Sequence, residues 1–316
     1  MMSKRIAVIG IGGIGGYIGG LLADKYDDVT FVARGKRKET LERDGLILHS
    51  EYRGERVIKP VKVVESSLEL DKMDYIFICV KNYSLKDVCK DLTNCVKEGT
   101  VIVPVMNGVD PGDKTREYLK EYGISGATVM DSLIYIVSFI GEDGSIIQQG
   151  SFANMYIGIH GSRANDDVAK AAELLDDAGA DCQPADDIER EIWKKYILNA
   201  AYNVETARYN NNIGQLRADP VKAKQHEDLI WEAFSVAKAK HVNVKEEDAQ
   251  AIIYRFYNEF KDNATSSLQR DVVAGRPTEL ETFCGYLVKE GERLNLSLPV
   301  TNLMYQELLK LTKHTN

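Results

Sequence analysis

An α/β domain built on a parallel sheet, followed by an all-helical domain, is the architecture this sequence predicts. Three observations carry it. The first is Arg5-Ile-Ala-Val-Ile-Gly-Ile-Gly-Gly-Ile-Gly15, an apolar run that breaks into clustered glycines. The second is the alternation of short apolar runs with helix-compatible segments over the first half of the chain. The third is the end of that alternation at Pro184-Ala-Asp-Asp187, beyond which the pattern reads as helix. A length of 316 residues favours two domains over one. The expected domains are residues 1–184 and 185–316.

The first element is Ile6 to Ile9, a run without polar alternation. That suits a strand buried on both faces of a sheet. Gly10, Gly12 and Gly15 follow in the G-x-G-x-x-G arrangement. The first allows a tight turn out of the strand, the second lets a pyrophosphate approach the backbone, and the third lets the next helix lie close to the strand. That helix is expected to open near Gly12, with Gly13 and Ile14 in its first turn presenting N–H groups to phosphates. A second strand at Val29 to Ala33 completes the context of a Rossmann-type dinucleotide site. The competing reading is a glycine-rich packing turn. Ser3-Lys4-Arg5 and the uncharged stretch Ile6 to Ala23 superficially resemble a signal peptide or membrane span, but the stretch holds seven glycines and no cleavage site follows.

The second strand ends in Arg34-Gly-Lys-Arg-Lys38, where an NAD site usually carries an acid for the ribose 2′-hydroxyl. Cations there suit a 2′-phosphate, so NADP(H) is the expected cofactor. Residues 45 to 64 read as short strands of a side excursion. The next buried strands, Asp74 to Val80 and Thr100 to Val105, end in Lys81-Asn82 and Met106-Asn107-Gly108. Lys81 and Asn107 are thereby expected at the carboxyl edge of the sheet, facing the cofactor. Residues 127 to 161 read as antiparallel strands extending the sheet, turning at Glu142-Asp143-Gly144. A helix from Asp166 to Ala178 stops at Gly179, and Cys182 sits in a short last strand.

After residue 185 every element reads as helix. Asp186 and Glu189 have capping-box spacing before a helix from Ile188 to Tyr202. Asp219-Pro220 is an N-cap with proline at the first helical position. Helices follow at Ala249 to Phe260 and Ser266 to Ala274. Thr278 and Glu281 repeat the capping-box spacing ahead of a helix to Leu294, and Pro299 precedes the last helix.

A net charge of −8 argues against a general nucleic-acid binder. The five cysteines form no C-x-x-C and are odd in number, which fits reduced thiols in a cytoplasm. The five histidines, His314 among them, show no metal-ligand spacing, so no metal is expected.

The second informative stretch is Trp193-Lys-Lys-Tyr-Ile-Leu-Asn199-Ala-Ala-Tyr-Asn203. Lys195, Asn199 and Asn203 share one helix face over roughly 12 Å. One ammonium and two carboxamides can hold a carboxylate and a carbonyl oxygen at an interdomain cleft; an ordinary exposed stripe is the alternative. Taken with the glycine motif, Val80-Lys81-Asn82, Met106-Asn107-Gly108-Val109 and Ser266-Ser-Leu-Gln-Arg-Asp271 followed by Gly275-Arg-Pro-Thr-Glu279, the chain resembles the ketopantoate reductase (2-dehydropantoate 2-reductase) family along nearly its whole length. The resemblance implies NADPH-dependent reduction of 2-dehydropantoate to (R)-pantoate, on the route to pantothenate and coenzyme A. It implies Lys195 as general acid. Glu279 orients it and binds substrate hydroxyls, and Asn199, Asn203 and Ser267 hold the substrate. Asn107 lies between nicotinamide and substrate, and Lys81 and Arg34 contact the cofactor.

Two departures stand out: Lys194 beside Lys195, and Cys284-Gly285 where the family commonly has Asn-Gly. Competing readings are a family member acting on another 2-keto acid, a β-hydroxyacid dehydrogenase, and a non-catalytic NADP(H) sensor. The second lacks support because residues 185 to 194 contain no glycine. The third has no need for Lys195 and Glu279 together. Helical second domains of this kind often pack as homodimers, though the sequence shows no decisive apolar patch.

Overall fold

The computed structural model describes residues 4–162 and 165–313. Ser3 and His314 lie outside them. The chain divides into two compact units, Met1–Ile188 and Glu189–Asn316.

The first unit begins with β1 (Ile6–Ile9), α1 (Gly13–Lys25), β2 (Val29–Val32) and α2 (Gly35–Asp44). Then come β3 (Leu46–Ser50), β4 (Gly54–Ile58), β5 (Lys62–Val64), β6 (Tyr75–Ile78), α3 (Leu85–Lys90) and β7 (Thr100–Pro104). It continues through α4 (Pro111–Glu121), β8 (Ala127–Val129), β9 (Asp131–Ile140), β10 (Ile146–Gly158), α5 (Asp166–Asp177) and β11 (Cys182–Pro184). One sheet has the order β5-β2-β1-β6-β7-β8, with every pairing parallel. The unbroken apolar runs have a direct cause. Successive side chains of a strand point to opposite faces, and here both faces are covered. Ile6, Val8, Phe77 and Val103 join the core under α1, whereas Ala7, Ile9, Ile78 and Ile102 join the core with Leu85 and Cys89 of α3 and Leu119 of α4.

Residues 127 to 161 depart from expectation. Only β8 extends the parallel sheet. β9 and β10 do pair antiparallel, but in a second sheet of order β11-β10-β3-β4, with β9 on β10. The side excursion supplies β3 and β4 to this second sheet and β5 to the edge of the first. α1 lies between the two sheets: Tyr17, Ile18 and Leu21 share one core with Phe31 of the first and Leu46, Ile146 and Met155 of the second. A Cβ at Gly16 would overlap the Ile146 side chain, and one at Gly20 would stand 2.9 Å from Leu46 Cδ2. These glycines lie beyond the nucleotide motif and let the second sheet close over the helix.

The second unit is formed by α6 (Ile188–Tyr209, begun at the end of the first), α7 (Ile213–Ala218), α8 (Pro220–Ala239), α9 (Glu246–Asn258), α10 (Ser267–Val273), α11 (Tyr286–Leu294) and α12 (Pro299–Lys313). Asp219 caps α8, its carboxylate accepting from the N–H groups of Val221 at 3.0 Å and Lys222 at 3.3 Å. α6 runs to Tyr209 rather than Tyr202, and α7, opened by a capping box of Asn212 and Gln215, was not expected. Glu281 does not turn back to Thr278. Its carboxylate accepts from Lys289 Nζ at 2.8 Å and from the Tyr305 hydroxyl, and a π turn over Glu281–Gly285 leads into α11. Among the described residues, no helix is long and apolar enough to cross a membrane.

Candidate active site

The glycine loop between β1 and α1 is shaped for close approach. Gly10 has φ +89°, and a Cβ there would stand 2.8 Å from Val80 Cγ1. A Cβ at Gly15 would overlap the Gly10 carbonyl, so the helix touches the strand backbone. A Cβ at Gly12 would meet nothing within 4 Å, which leaves open space over its backbone. The Gly16 N–H donates to the Gly12 carbonyl at 2.8 Å. The N–H groups of Gly13, Ile14 and Gly15 therefore precede the first helical hydrogen bond. This cradle fits a pyrophosphate, which needs bare backbone and N–H donors at a helix start. Gly13 has a further constraint, since a Cβ there would overlap the Ser138 carbonyl of β9. The Ile14 side chain packs on the core, so it offers the loop only its backbone.

The basic run after β2 opens α2, with Arg34 as its N-cap, and its cations diverge. Arg34 is exposed; its Nε donates to the Glu65 carbonyl at 3.1 Å and it lies 3.5 Å from the Asp91 carboxylate. Lys36 is exposed beside it. Lys38 pairs with Glu42 at 3.3 Å. Arg37 turns toward the glycine loop, donating from Nε to the Ile11 carbonyl at 2.9 Å. At the carboxyl ends of β6 and β7, Lys81 and Asn107 are both half-buried. The two ends are tied by Asn82 Nδ2, which donates to the Asn107 carbonyl at 2.8 Å.

In the second unit, α6 carries Lys195, Asn199 and Asn203 on one face. Burial pulls the Lys195 ammonium down to about 8, and the Glu279 carboxylate acts in the opposite sense. Glu279 is only 4% exposed. Lys194 is a separate matter: it pairs with Glu191 at 3.0 Å. The Tyr196 hydroxyl donates to the Thr282 carbonyl at 2.8 Å, which fastens α6 to the π turn just after Glu279. Tyr196 also meets Trp193 and Tyr286 edge-on at 5.6 and 5.8 Å. Asn203 Oδ1 accepts from Ser267 Oγ at 3.2 Å and from the Leu268 N–H at 3.4 Å, while its Nδ2 donates to the Asn199 carbonyl at 3.2 Å. Thr206 Oγ1 donates to Ser266 Oγ at 2.7 Å and secures the same junction.

The fold therefore brings Lys195 to Glu279, and Asn203 to Ser267, with Asn199 between them along α6. Cys284 is buried and its Sγ donates to the Thr301 carbonyl at 3.4 Å, a packing position. Among the described residues no group of three or more His, Cys, Asp or Glu could hold a metal ion. The reading of the sequence did not single out Tyr196, Arg37 as a loop contact, or Ser138. A tyrosine adjoining Lys195 was the one visible hint; the π turn that gives it a carbonyl has no signature in the residues.

Two family models match the chain, one in each unit. The model for ketopantoate reductase PanE/ApbA matches residues 6–162, and that for the ketopantoate reductase PanE/ApbA C terminal matches residues 187–312. An uncharacterized oxidoreductase, YkpB, of Bacillus subtilis (strain 168) is 30% identical, covering 96% of this chain and 97% of that protein. A 2-dehydropantoate 2-reductase of Archaeoglobus fulgidus is 29% identical, covering 96% of each. The crystal structure of a PanE/ApbA family ketopantoate reductase from Ralstonia eutropha JMP134 superimposes with a TM-score of 0.88 at 22% identity, covering 99% of each chain.

Proposed function

The chain belongs to the ketopantoate reductase family of oxidoreductases, and on that premise we propose that it reduces 2-dehydropantoate to (R)-pantoate with NADPH. The observation that carries the reading is Lys195, a lysine pulled down to about 8 by burial and matched with the buried Glu279 carboxylate. Bound NADPH would supply a hydride to C2 of the keto acid. Hydride addition leaves an alkoxide at the C2 oxygen, and the Lys195 ammonium stabilises that charge and delivers the proton. Help of this kind is worth about 10²–10⁴-fold in rate. Glu279 keeps the ammonium charged and orients it toward the oxygen, and accepts hydrogen bonds from substrate hydroxyls. Asn199, Asn203 and Ser267 hold the remaining polar groups of the substrate.

The cofactor side of the proposal assigns the pyrophosphate to the loop of Gly10, Gly12, Gly13, Ile14 and Gly15, and the 2′-phosphate to Arg34. Lys81, at the end of β6, is assigned to the cofactor, and Asn107, at the end of β7, to the position between nicotinamide and substrate. The five thiols are all unbridged, which suits a cytoplasmic setting. The test is a rate panel. Wild-type protein is offered 2-dehydropantoate, 2-oxobutanoate and phenylglyoxylate, each with NADPH and with NADH. The proposal expects the highest kcat/KM for 2-dehydropantoate with NADPH. A higher value for another keto acid discards the substrate but keeps the chemistry; equal values with NADH discard the 2′-phosphate assignment.

A further inference from the structure

The basic run after β2 contains an arginine that the 2′-phosphate reading does not use. Arg37 bridges two carbonyls far apart in sequence. Its Nε donates to Ile11 in the glycine loop, and its Nη1 donates to Gly144 at the tip of the β9–β10 hairpin. Ser138, on β9, makes a second bridge between the same two parts. Its hydroxyl lies 3.0 Å from the Gly13 carbonyl and 3.0 Å from the Ile147 carbonyl of β10, so its one proton serves either. A third contact is backbone on backbone, because a Cβ on Gly13 would overlap the Ser138 carbonyl. The hairpin tip also rests on α2: a Cβ on Gly144 would stand 2.9 Å from Thr40 Cγ2.

The hairpin is itself stiff at this point. Asp143 Oδ1 accepts from the Ser145 N–H at 3.0 Å and its hydroxyl at 2.7 Å, and the Gly141 N–H donates to the Ser145 carbonyl at 2.8 Å. Gly10, Gly12, Gly13 and Gly15 have no side chains with which to make such bonds, and glycines leave a chain maximally free. The loop's N–H groups are wanted by a ligand, while its carbonyls need partners of their own. Arg37 and Ser138 supply partners to Ile11 and Gly13 from a rigid neighbour. A loop held in its binding shape before the ligand arrives loses less freedom on binding.

We infer that the β9–β10 hairpin braces the dinucleotide loop, and that Arg37 and Ser138 are its positioning residues and take no part in recognising a 2′-phosphate. The inference rests on the dinucleotide reading of that loop. It separates two roles that the sequence runs together, since Arg34 and Arg37 are three residues apart and carry the same charge. A phosphate ligand acts on NADPH alone, whereas a brace acts on any dinucleotide.

The experiment measures dissociation constants for NADPH and NADH, by calorimetry on the full chain. The proteins are wild type, Arg37→Ala, Arg37→Lys, Ser138→Ala and Arg34→Ala. Arg37→Ala is expected to weaken both dinucleotides by the same factor, about tenfold, as for loss of a hydrogen bond from a charged group. Ser138→Ala is expected to weaken both by a smaller common factor. Arg34→Ala is expected to weaken NADPH selectively. Arg37→Lys keeps the charge but cannot span both carbonyls, so it should behave as Arg37→Ala does; it and Ser138→Ala carry the test should Arg37→Ala fold poorly. Selective loss of NADPH affinity in Arg37→Ala overturns the inference and makes Arg37 a phosphate ligand. Wild-type affinity for both dinucleotides in Arg37→Ala and Ser138→Ala overturns it as well. Failure of wild type to bind either dinucleotide overturns the parent reading, and the inference with it.

Discussion

At Lys195 two effects oppose each other: burial lowers the ammonium to about 8 and the Glu279 carboxylate raises it. The proton that the proposed reaction needs is then present below about pH 8 and lost above it, so kcat/KM for reduction should fall as pH rises through that value. Glu279→Gln removes the raising influence. The alkaline limb of the pH–rate profile should move to lower pH in that variant, and a limb that stays or moves upward contradicts the pairing. Stability follows with a definite sign. The folded value lies below the ordinary lysine value of 10.5, so the unfolded chain binds more protons between about 8 and 10.5. Stability contributed by this group therefore rises with pH across that window. Lys195→Met should raise Tm at pH 7 and flatten the rise, as measured by thermal unfolding at pH 7 and pH 10. Choosing Lys195 over Lys194 was possible from the spacing to Trp193 and Asn199; the Tyr196 anchor was not, because its acceptor is a carbonyl set by a backbone π turn.

Among the elements, α6, α8 and α9 meet at a buried polar pair. Glu205 and His226 are 0% and 1% exposed, and their Oε2 and Nδ1 atoms are 2.8 Å apart. The imidazole stacks on Phe256 at 3.9 Å. Burial pushes the carboxyl far up and the imidazole far down, so the pair rests as a neutral acid donating to a neutral ring. Between the ordinary carboxylate value of 4.5 and its raised folded value, the unfolded chain binds fewer protons at Glu205, so stability falls as pH rises. Glu205→Gln keeps the shape and the donor but cannot ionise. It should raise Tm relative to wild type at pH 8.5 and leave it nearly unchanged at pH 4.5; an equal shift at both contradicts the neutral pair.

Legibility in the sequence also varied by element. β1, β6 and β7 were plain because apolar runs report burial on both faces, and α8 was plain because Asp219-Pro220 writes its own start. The second sheet was hidden. β10 pairs with β3, about a hundred residues earlier in the chain, and no local pattern announces a partner at that distance. Gly16 and Gly20 were the available clue, since a helix with small residues beyond its ligand motif has a second surface to approach.

For the whole molecule, the sequence carried the alternation of strand and helix in the first half, the helical character of the second, the glycine loop and the lysine stripe, because each depends on spacing within a few turns of chain. It could not carry the partners chosen by Arg37 or by Asn203, which depend on contacts between distant segments. The proposed cofactor has a consequence on this scale. Ligand that binds only the folded chain stabilises it by about 2.7 kcal/mol at a hundred times its Kd. NADPH should therefore raise Tm more than an equal concentration of NADH, and the difference should vanish in Arg34→Ala; equal shifts in wild type would remove the preference. The central claim, that Lys195 is the acid in a reduction of 2-dehydropantoate by NADPH, is tested most directly by following NADPH consumption in wild type and Lys195→Ala at saturating cofactor. The account predicts brisk turnover in wild type and a loss of about 10²–10⁴-fold in the variant with NADPH binding intact. Comparable turnover in the two proteins would contradict it.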